Sequence, residues 1–279
     1  MNGINTAWKS DFSKYLGIAI PIIVSLFAYW YVTLLIVPGN TAPGSAPLVL
    51  SAVVSLAFWS LILFAVLGIM LRNVTMVFAR TMRDRLWAKV LFPAYLSVHL
   101  VVYGLVLEKI LVSVFGRPSF SVRQAIFFQA GGAFYPHTLF NALIQLTLNP
   151  SLVIILAPFY GIELTLFSFC SAIIIASLIV VHIERLSRNA KFIKRAGGSV
   201  IYPLIGVLGG ASCCISLPSI FLDFTPLASS ILLVPMWVDL LNVLYYLLPI
   251  SVIVVLAAGL KPLSFADSPA SGRQFPDGK

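Results

Sequence analysis

The feature that most constrains this chain is a series of apolar runs, each long enough to cross a lipid bilayer as a helix. A membrane-crossing helix needs about 20 apolar residues, because hydrocarbon offers no partner to backbone polar groups. Apolar residues make up 60% of the chain and charged residues 10%, and the mean hydropathy is +1.02. The sequence therefore predicts an all-α, polytopic membrane protein with about six transmembrane helices in a single domain, residues 1–260. The predicted helices cover residues 17–37, 48–71, 90–114, 151–181, 200–222 and 228–260.

Clusters of basic residues between the apolar runs predict the orientation of the helices. Loops rich in Lys and Arg face the cytoplasm, and two such clusters lie at residues 72–89 and 185–195. The loop at residues 38–47 carries no charge and is expected outside. We therefore predict a multi-pass protein of the cell membrane with both termini cytoplasmic and a disordered cytoplasmic tail, residues 261–279. The basic residues of the two clusters are Arg72, Arg80, Arg83, Arg85 and Lys89, then Arg185, Arg188, Lys191, Lys194 and Arg195.

The segment at residues 120–148 is more polar than its neighbours. If it crossed the membrane, the second basic cluster would lie outside, against the charge rule. We therefore predict a re-entrant or interfacial segment on the outer side, with a seventh transmembrane helix as the alternative. Its polar and helix-breaking residues include Gln124, Gln129, Pro136, His137, Asn141 and Gln145.

Two adjacent thiols, Cys213 and Cys214, lie in the fifth apolar run. Small residues precede them and let another helix approach closely, and Pro218 leaves a nearby carbonyl without its helical hydrogen bond. Thiolates favour soft ions such as Cu(I), Zn(II) and Hg(II), so the pair is a candidate metal site. The alternative is a packing role, because Cys in apolar surroundings behaves as a small hydrophobic residue.

The run GGASCCISLP at residues 209–218 resembles the first-helix signature of the mercuric-ion transport proteins. In that family a Gly-Ala-Ser-Cys-Cys run followed by Pro receives the ion from the outer side. The resemblance implies the same role for Cys213 and Cys214. It covers 10 of the 279 residues, and neither basic cluster contains the second Cys pair that the family has on its cytoplasmic side.

Two acids, Glu163 and Asp239, are placed inside the hydrocarbon by the predicted helices. A carboxylate in hydrocarbon costs at least about 2.5 kcal/mol, so such residues are candidates for proton or cation transport. The alternative is a neutral carboxyl group that hydrogen-bonds to a neighbouring helix. His137 is a candidate outer metal ligand. Haem is not expected. A haem would need two axial histidines on facing helices at the same depth, and His99 with His137 is the sole candidate pair in the sequence.

These features lead to two functional hypotheses. The first is a permease for a soft metal ion that binds to Cys213 and Cys214. The second is a non-catalytic hydrophobic subunit of a larger membrane complex of the electron-transfer type. The sequence has no P-loop, no HExxH and no nucleic-acid-binding module, so we expect neither an enzyme nor a nucleic-acid partner. The expected partners are the lipid bilayer and other membrane proteins or further copies of the chain.

Overall fold

The computed structural model describes residues 3–35, 46–102, 124–129, 139–148, 150–156, 160–188 and 235–264, with residues 105, 109 and 113. Most of the described residues are helical. Three segments among them have the length and composition to cross a membrane, namely Leu16–Leu34, Ala46–Met70 and Leu166–Arg188, and a bent helix pair raises the number to four. The described part of the chain thus supports the prediction of a helical membrane protein.

The first two helices pack against each other and turn much of their apolar surface outward. α1 is Gly3–Leu34, and α2 is Ala46–Phe64, which a π-helical turn extends to Met70. They overlap the helices predicted at residues 17–37 and 48–71. In their most apolar stretches, 22% of α1 and 17% of α2 is buried. Such outward apolar surface is what lipid would cover.

The next two helices meet at a sharp bend. α3 is Arg72–Asp84 and α4 is Leu86–Ser97, and α4 continues into a π-helical turn, Val98–Val102. The axes before and after the bend differ by 114°. The backbone of Arg85 between them is extended, with φ −117° and ψ 118°, so one helix ends there and the next begins. α4 and its π-helical turn overlap the helix predicted at residues 90–114.

The side-chain pattern of α3 explains why residues 72–84 form a helix and not the predicted loop. Val74 and Thr81 are seven residues apart, lie on the same side and are both buried. The basic residues lie on the opposite side. A helix with one apolar and one charged face is stable when the apolar face packs against another element, and α3 packs against the helix at Leu166–Arg188.

Three strands among the described residues correct the prediction of an all-α fold. β1 is Ala125–Gln129, β2 is Ser151–Leu156 and β3 is Tyr160–Thr165, and they form an antiparallel sheet in the order β1-β2-β3. A short helix, α5, Leu139–Leu148, lies between β1 and β2 in the chain. β1 and α5 both fall within the polar segment predicted at residues 120–148.

The helix predicted at residues 151–181 is wrong in its first half. β2 and β3 occupy residues 151–165, and α6, Leu166–Arg188, begins only after them. The β2 sequence SLVIIL is rich in β-branched residues, which favour strands. Pro158, between the two strands in the sequence, is unfavourable in a helix interior.

α6 lies at the centre of the described structure. In its most apolar stretch 78% is buried, far more than in α1 or α2. It packs against α2, α3, α4 and α7, Pro235–Ser264. Ile175 and Leu178 of α6 and Leu256 of α7 are each 0% exposed and belong to the main hydrophobic core. α7 overlaps the helix predicted at residues 228–260, whereas the helix predicted at residues 200–222 lies outside the described residues.

Candidate functional site

Glu163 lies on a polar face of the sheet. Glu163 pairs with Val153 across the β2–β3 ladder, and Ser151 pairs with Thr165. Paired residues and residues two apart share a sheet face, so all four side chains point to the same side. Ser151 is 1% exposed and Thr165 is 3% exposed. The Glu163 carboxyl group is therefore next to two buried hydroxyl groups.

A reciprocal pair of hydrogen bonds fixes the junction of β3 with α6. The backbone N–H of Ser168 donates to Oγ1 of Thr165 at 3.0 Å, and the backbone N–H of Thr165 donates to Oγ of Ser168 at 2.9 Å. This is a capping box, with Thr165 as the N-cap of α6. It holds the end of β3, and with it Glu163 two residues earlier, at a defined position on α6.

Tyr246 of α7 lies near Glu163 and the β3–α6 junction. Its hydroxyl group and that of Thr147, at the end of α5, are hydrogen-bonded. Its ring packs edge-on against Phe167 of α6, with ring centroids 5.3 Å apart. Glu163 interacts electrostatically with the Tyr246 phenol. We call the set Thr147, Ser151, Glu163, Thr165, Ser168 and Tyr246 the Glu163 cluster.

A buried carbonyl group of α5 accepts a hydrogen bond from α2. The indole Nε1–H of Trp59 in α2 donates to the carbonyl oxygen of Leu146 in α5 at 3.0 Å. The thiol of Cys170 in α6 in turn approaches the carbonyl oxygen of Trp59 at 3.8 Å. Trp59 therefore joins three helices beside the Glu163 cluster.

The surroundings of Glu163 favour its protonated form. Burial raises the pKa of the Glu163 carboxyl above its ordinary value of 4.5, and the neighbouring Ser151 hydroxyl partly opposes that rise. A carboxyl group with a raised pKa gains or loses a proton closer to neutral pH. Carboxylate and hydroxyl oxygens suit protons and hard cations, whereas soft ions prefer thiolates.

A second cluster of ionisable residues lies at the other end of α6. Glu184 is 1% exposed, and its Oε1 atom lies 2.7 Å from Nε of Arg188 and 3.9 Å from Nε of Arg85. His182, which is 0% exposed, donates from Nε2 to the carbonyl oxygen of Leu256 at 2.9 Å. Glu184 thereby links α6 to the α3–α4 bend, and His182 links α6 to α7.

Sequence reasoning did not identify this second cluster as a connected site. The available signal was the four-residue spacing of Glu184 and Arg188, which places opposite charges on one side of a helix. The contacts with Arg85 and Leu256 depend on tertiary packing and have no local signature.

The other predicted site residues lie wholly or partly outside the described structure. Cys213, Cys214 and His137 lie outside the described residues, and Asp239 lies in α7 with its side chain outside the described part. The structure thus locates Glu163 alone among the predicted side chains. In the described ranges, no three side chains of His, Cys, Asp or Glu lie together as a metal site would require.

No protein-family model, curated protein or solved structure matches this chain. The likeness of residues 209–218 to the mercuric-ion transport proteins therefore stays a prediction from those residues.

Proposed function

We propose that this chain is a multi-pass membrane permease for a soft metal ion. The observation that carries the proposal is the setting of Glu163, a partly buried acid that shares a sheet face with the Ser151 and Thr165 hydroxyl groups and lies near the Tyr246 phenol of α7. A packing role alone gives no reason to keep an acidic group in such a place, because its ionised form is costly to bury. A role in exchanging protons during cation transport would explain why an acidic group is kept there.

The proposal divides the chemistry between two sites. Cys213 and Cys214 supply the soft ligands that capture the ion. Binding to thiolates releases protons, and Glu163 takes up or releases a proton as the charge of the ion moves. Asp239 is a second acid for this step, and His137 is an additional outer ligand. The proposal includes six membrane-crossing helices and cytoplasmic termini.

The first test is metal binding by the purified protein in detergent. Cu(I), Zn(II) and Hg(II) are offered separately, and bound metal is counted by elemental analysis. Wild type is expected to bind one ion per chain, and Cys213→Ser/Cys214→Ser is expected to lose it. Cys170→Ser is the matched control, because it removes a buried thiol that contacts the Trp59 carbonyl group instead. Equal binding by wild type and the double variant would overturn the proposal.

The second test is uptake of the bound metal into proteoliposomes with an imposed pH gradient. Glu163→Gln keeps the size of the side chain and removes its titration. It is expected to retain metal binding and to lose the dependence of uptake on the gradient. The electron-transfer subunit would be favoured instead if neither wild type nor Glu163→Gln took up metal and the protein co-purified with cytochromes whether or not metal was present.

A further inference from the structure

α3 carries a stripe of arginine residues on its outer side. Arg72, Met76, Arg80 and Arg83 follow one another at spacings of four, four and three residues, which places them on one side of the helix. All four are exposed, and the side chain of Arg83 is 79% exposed. We call these four residues the arginine face of α3. The opposite side of the helix packs against α6.

The balance of charge around this face is strongly positive. Residues 72–89 contain five basic residues and one acid, Asp84. Asp84 pairs with Arg83 at 3.1 Å. Glu184, the other acid near this region in the described part of the chain, is buried and contacts Arg85 and Arg188. The charges of Arg72 and Arg80 therefore attract an anion from outside the described structure.

Large apolar side chains are exposed at both ends of α3 and on the arginine face itself. Met70 just before the helix is 70% exposed, Leu86 just after it is 77% exposed, and Met76 on the arginine face is 54% exposed. Guanidinium groups are excluded from hydrocarbon, while such apolar side chains are favoured there. Both requirements are met at the boundary between the lipid headgroups and the acyl chains.

α3 lies at a large angle to α4. The 114° bend at Arg85 turns the chain sharply between α3 and α4. Arg85 at the bend lies 3.9 Å from the buried Glu184 of α6. The axis of α3 is therefore turned sharply away from that of α4, and the two do not form one straight helix.

We propose that α3 lies at the membrane surface and that its arginine face binds the phosphate groups of anionic phospholipids. Arginine pairs with phosphate oxygens through two parallel hydrogen bonds. The positive charge of the face favours a headgroup with net negative charge over a zwitterionic one, whose cationic group is repelled. An acidic protein would satisfy the charges but gives no reason for the exposed Met70, Met76 and Leu86. The proposal is independent of the proposed transport function.

The test compares lipid binding by the full-length protein in an uncharged detergent. Phosphatidylglycerol and phosphatidylcholine are titrated in turn, and bound lipids are counted by native mass spectrometry. Wild type is expected to prefer phosphatidylglycerol. Basic residues at a membrane surface contribute about fivefold each, so Arg72→Gln/Arg80→Gln should lower this preference by up to about 25-fold. Glutamine is chosen because its helix propensity is close to that of arginine.

The control variant is Arg273→Gln/Lys279→Gln, which removes the same charge from the C-terminal tail. It is expected to keep the wild-type preference. The proposal is overturned if the α3 variant stays within about twofold of wild type, or if the tail variant loses as much. Displacement of phosphatidylglycerol by equimolar inorganic phosphate would also overturn it, since a lipid site requires the acyl chains.

A second measurement does not depend on any variant. Raising the salt concentration should weaken phosphatidylglycerol binding by wild type, because exposed charges are screened over about 10 Å at 0.1 M salt. Binding that does not change with salt would exclude an exposed arginine site.

Discussion

Substitution of Arg188 tests whether Glu184 is a buried carboxylate that depends on its arginine partners. Arg188→Gln removes the partner at 2.7 Å and leaves Arg85 at 3.9 Å. Breaking a fully buried ion pair costs about 3–5 kcal/mol. Arg188 itself is 56% exposed and its charge is partly screened by solvent, so we expect a loss of about 2 kcal/mol in the free energy of unfolding.

The matched control is Arg83→Gln. Arg83 also pairs with an acid, Asp84, at 3.1 Å, but both side chains are more than half exposed, at 79% and 51%. An exposed pair contributes about 0–1 kcal/mol, so this variant should lose less than about 0.5 kcal/mol. Unfolding by sodium dodecyl sulfate in mixed micelles, followed by helical circular dichroism, measures both losses.

A double-mutant cycle isolates the interaction between the two residues. Glu184→Gln removes the buried charge, so adding Arg188→Gln to it should cost at least about 1 kcal/mol less than in wild type. Equal losses for Arg188→Gln and Arg83→Gln, or a coupling energy near zero, would refute the argument that burial of Glu184 makes this pair important.

Three further predictions concern the Glu163 cluster and the core. Because the pKa of Glu163 is higher in the folded protein than its ordinary value of 4.5, the folded protein binds more protons and loses stability as pH rises from 4.5 toward the raised value. Glu163→Gln should therefore match wild type in unfolding experiments at pH 4 and be more stable at pH 8; a constant difference across this range would contradict the prediction. Trp59→Phe removes the closer of two donors to the buried Leu146 carbonyl group and leaves the Ser55 hydroxyl at 3.4 Å, so it should cost about 1 kcal/mol in the same unfolding assay. Leu178→Ala in the core should lower the free energy of unfolding by about 2–5 kcal/mol. Phe169→Ala, at an α6 residue that is 47% exposed, should cost clearly less, and similar losses would argue against a buried α6.

The sequence predicted the first two apolar helices because their signal is local. The runs around residues 17–37 and 48–71 are long and continuous, and the structure has α1 and α2 there. The same signal failed at residues 151–165. An apolar run of that length is compatible with part of a helix and also with two buried strands. The β-branched residues of β2 and Pro158 between the strands pointed to the second possibility.

The candidate site could be predicted only as single residues. Glu163 stands out in sequence as an acid within an apolar run. Its proximity to Tyr246, and the hydrogen bond between Tyr246 and Thr147 across 99 residues of chain, depend on how α5 and α7 pack. The local part was accessible, since Thr165 and Ser168 have the spacing of a capping box just before an apolar run.

The hydrogen bond between Trp59 and Leu146 has a consequence for biosynthesis. The donor precedes its acceptor by 87 residues, which takes about 4–17 seconds to synthesise at 5–20 residues per second. A membrane-crossing α2 would enter the bilayer during this interval, before the acceptor of its indole N–H exists. A buried donor without an acceptor is unfavourable in hydrocarbon. The newly made α2 should therefore hold Trp59 near the polar edge of the membrane, or against the insertion machinery, until α5 arrives and draws it inward.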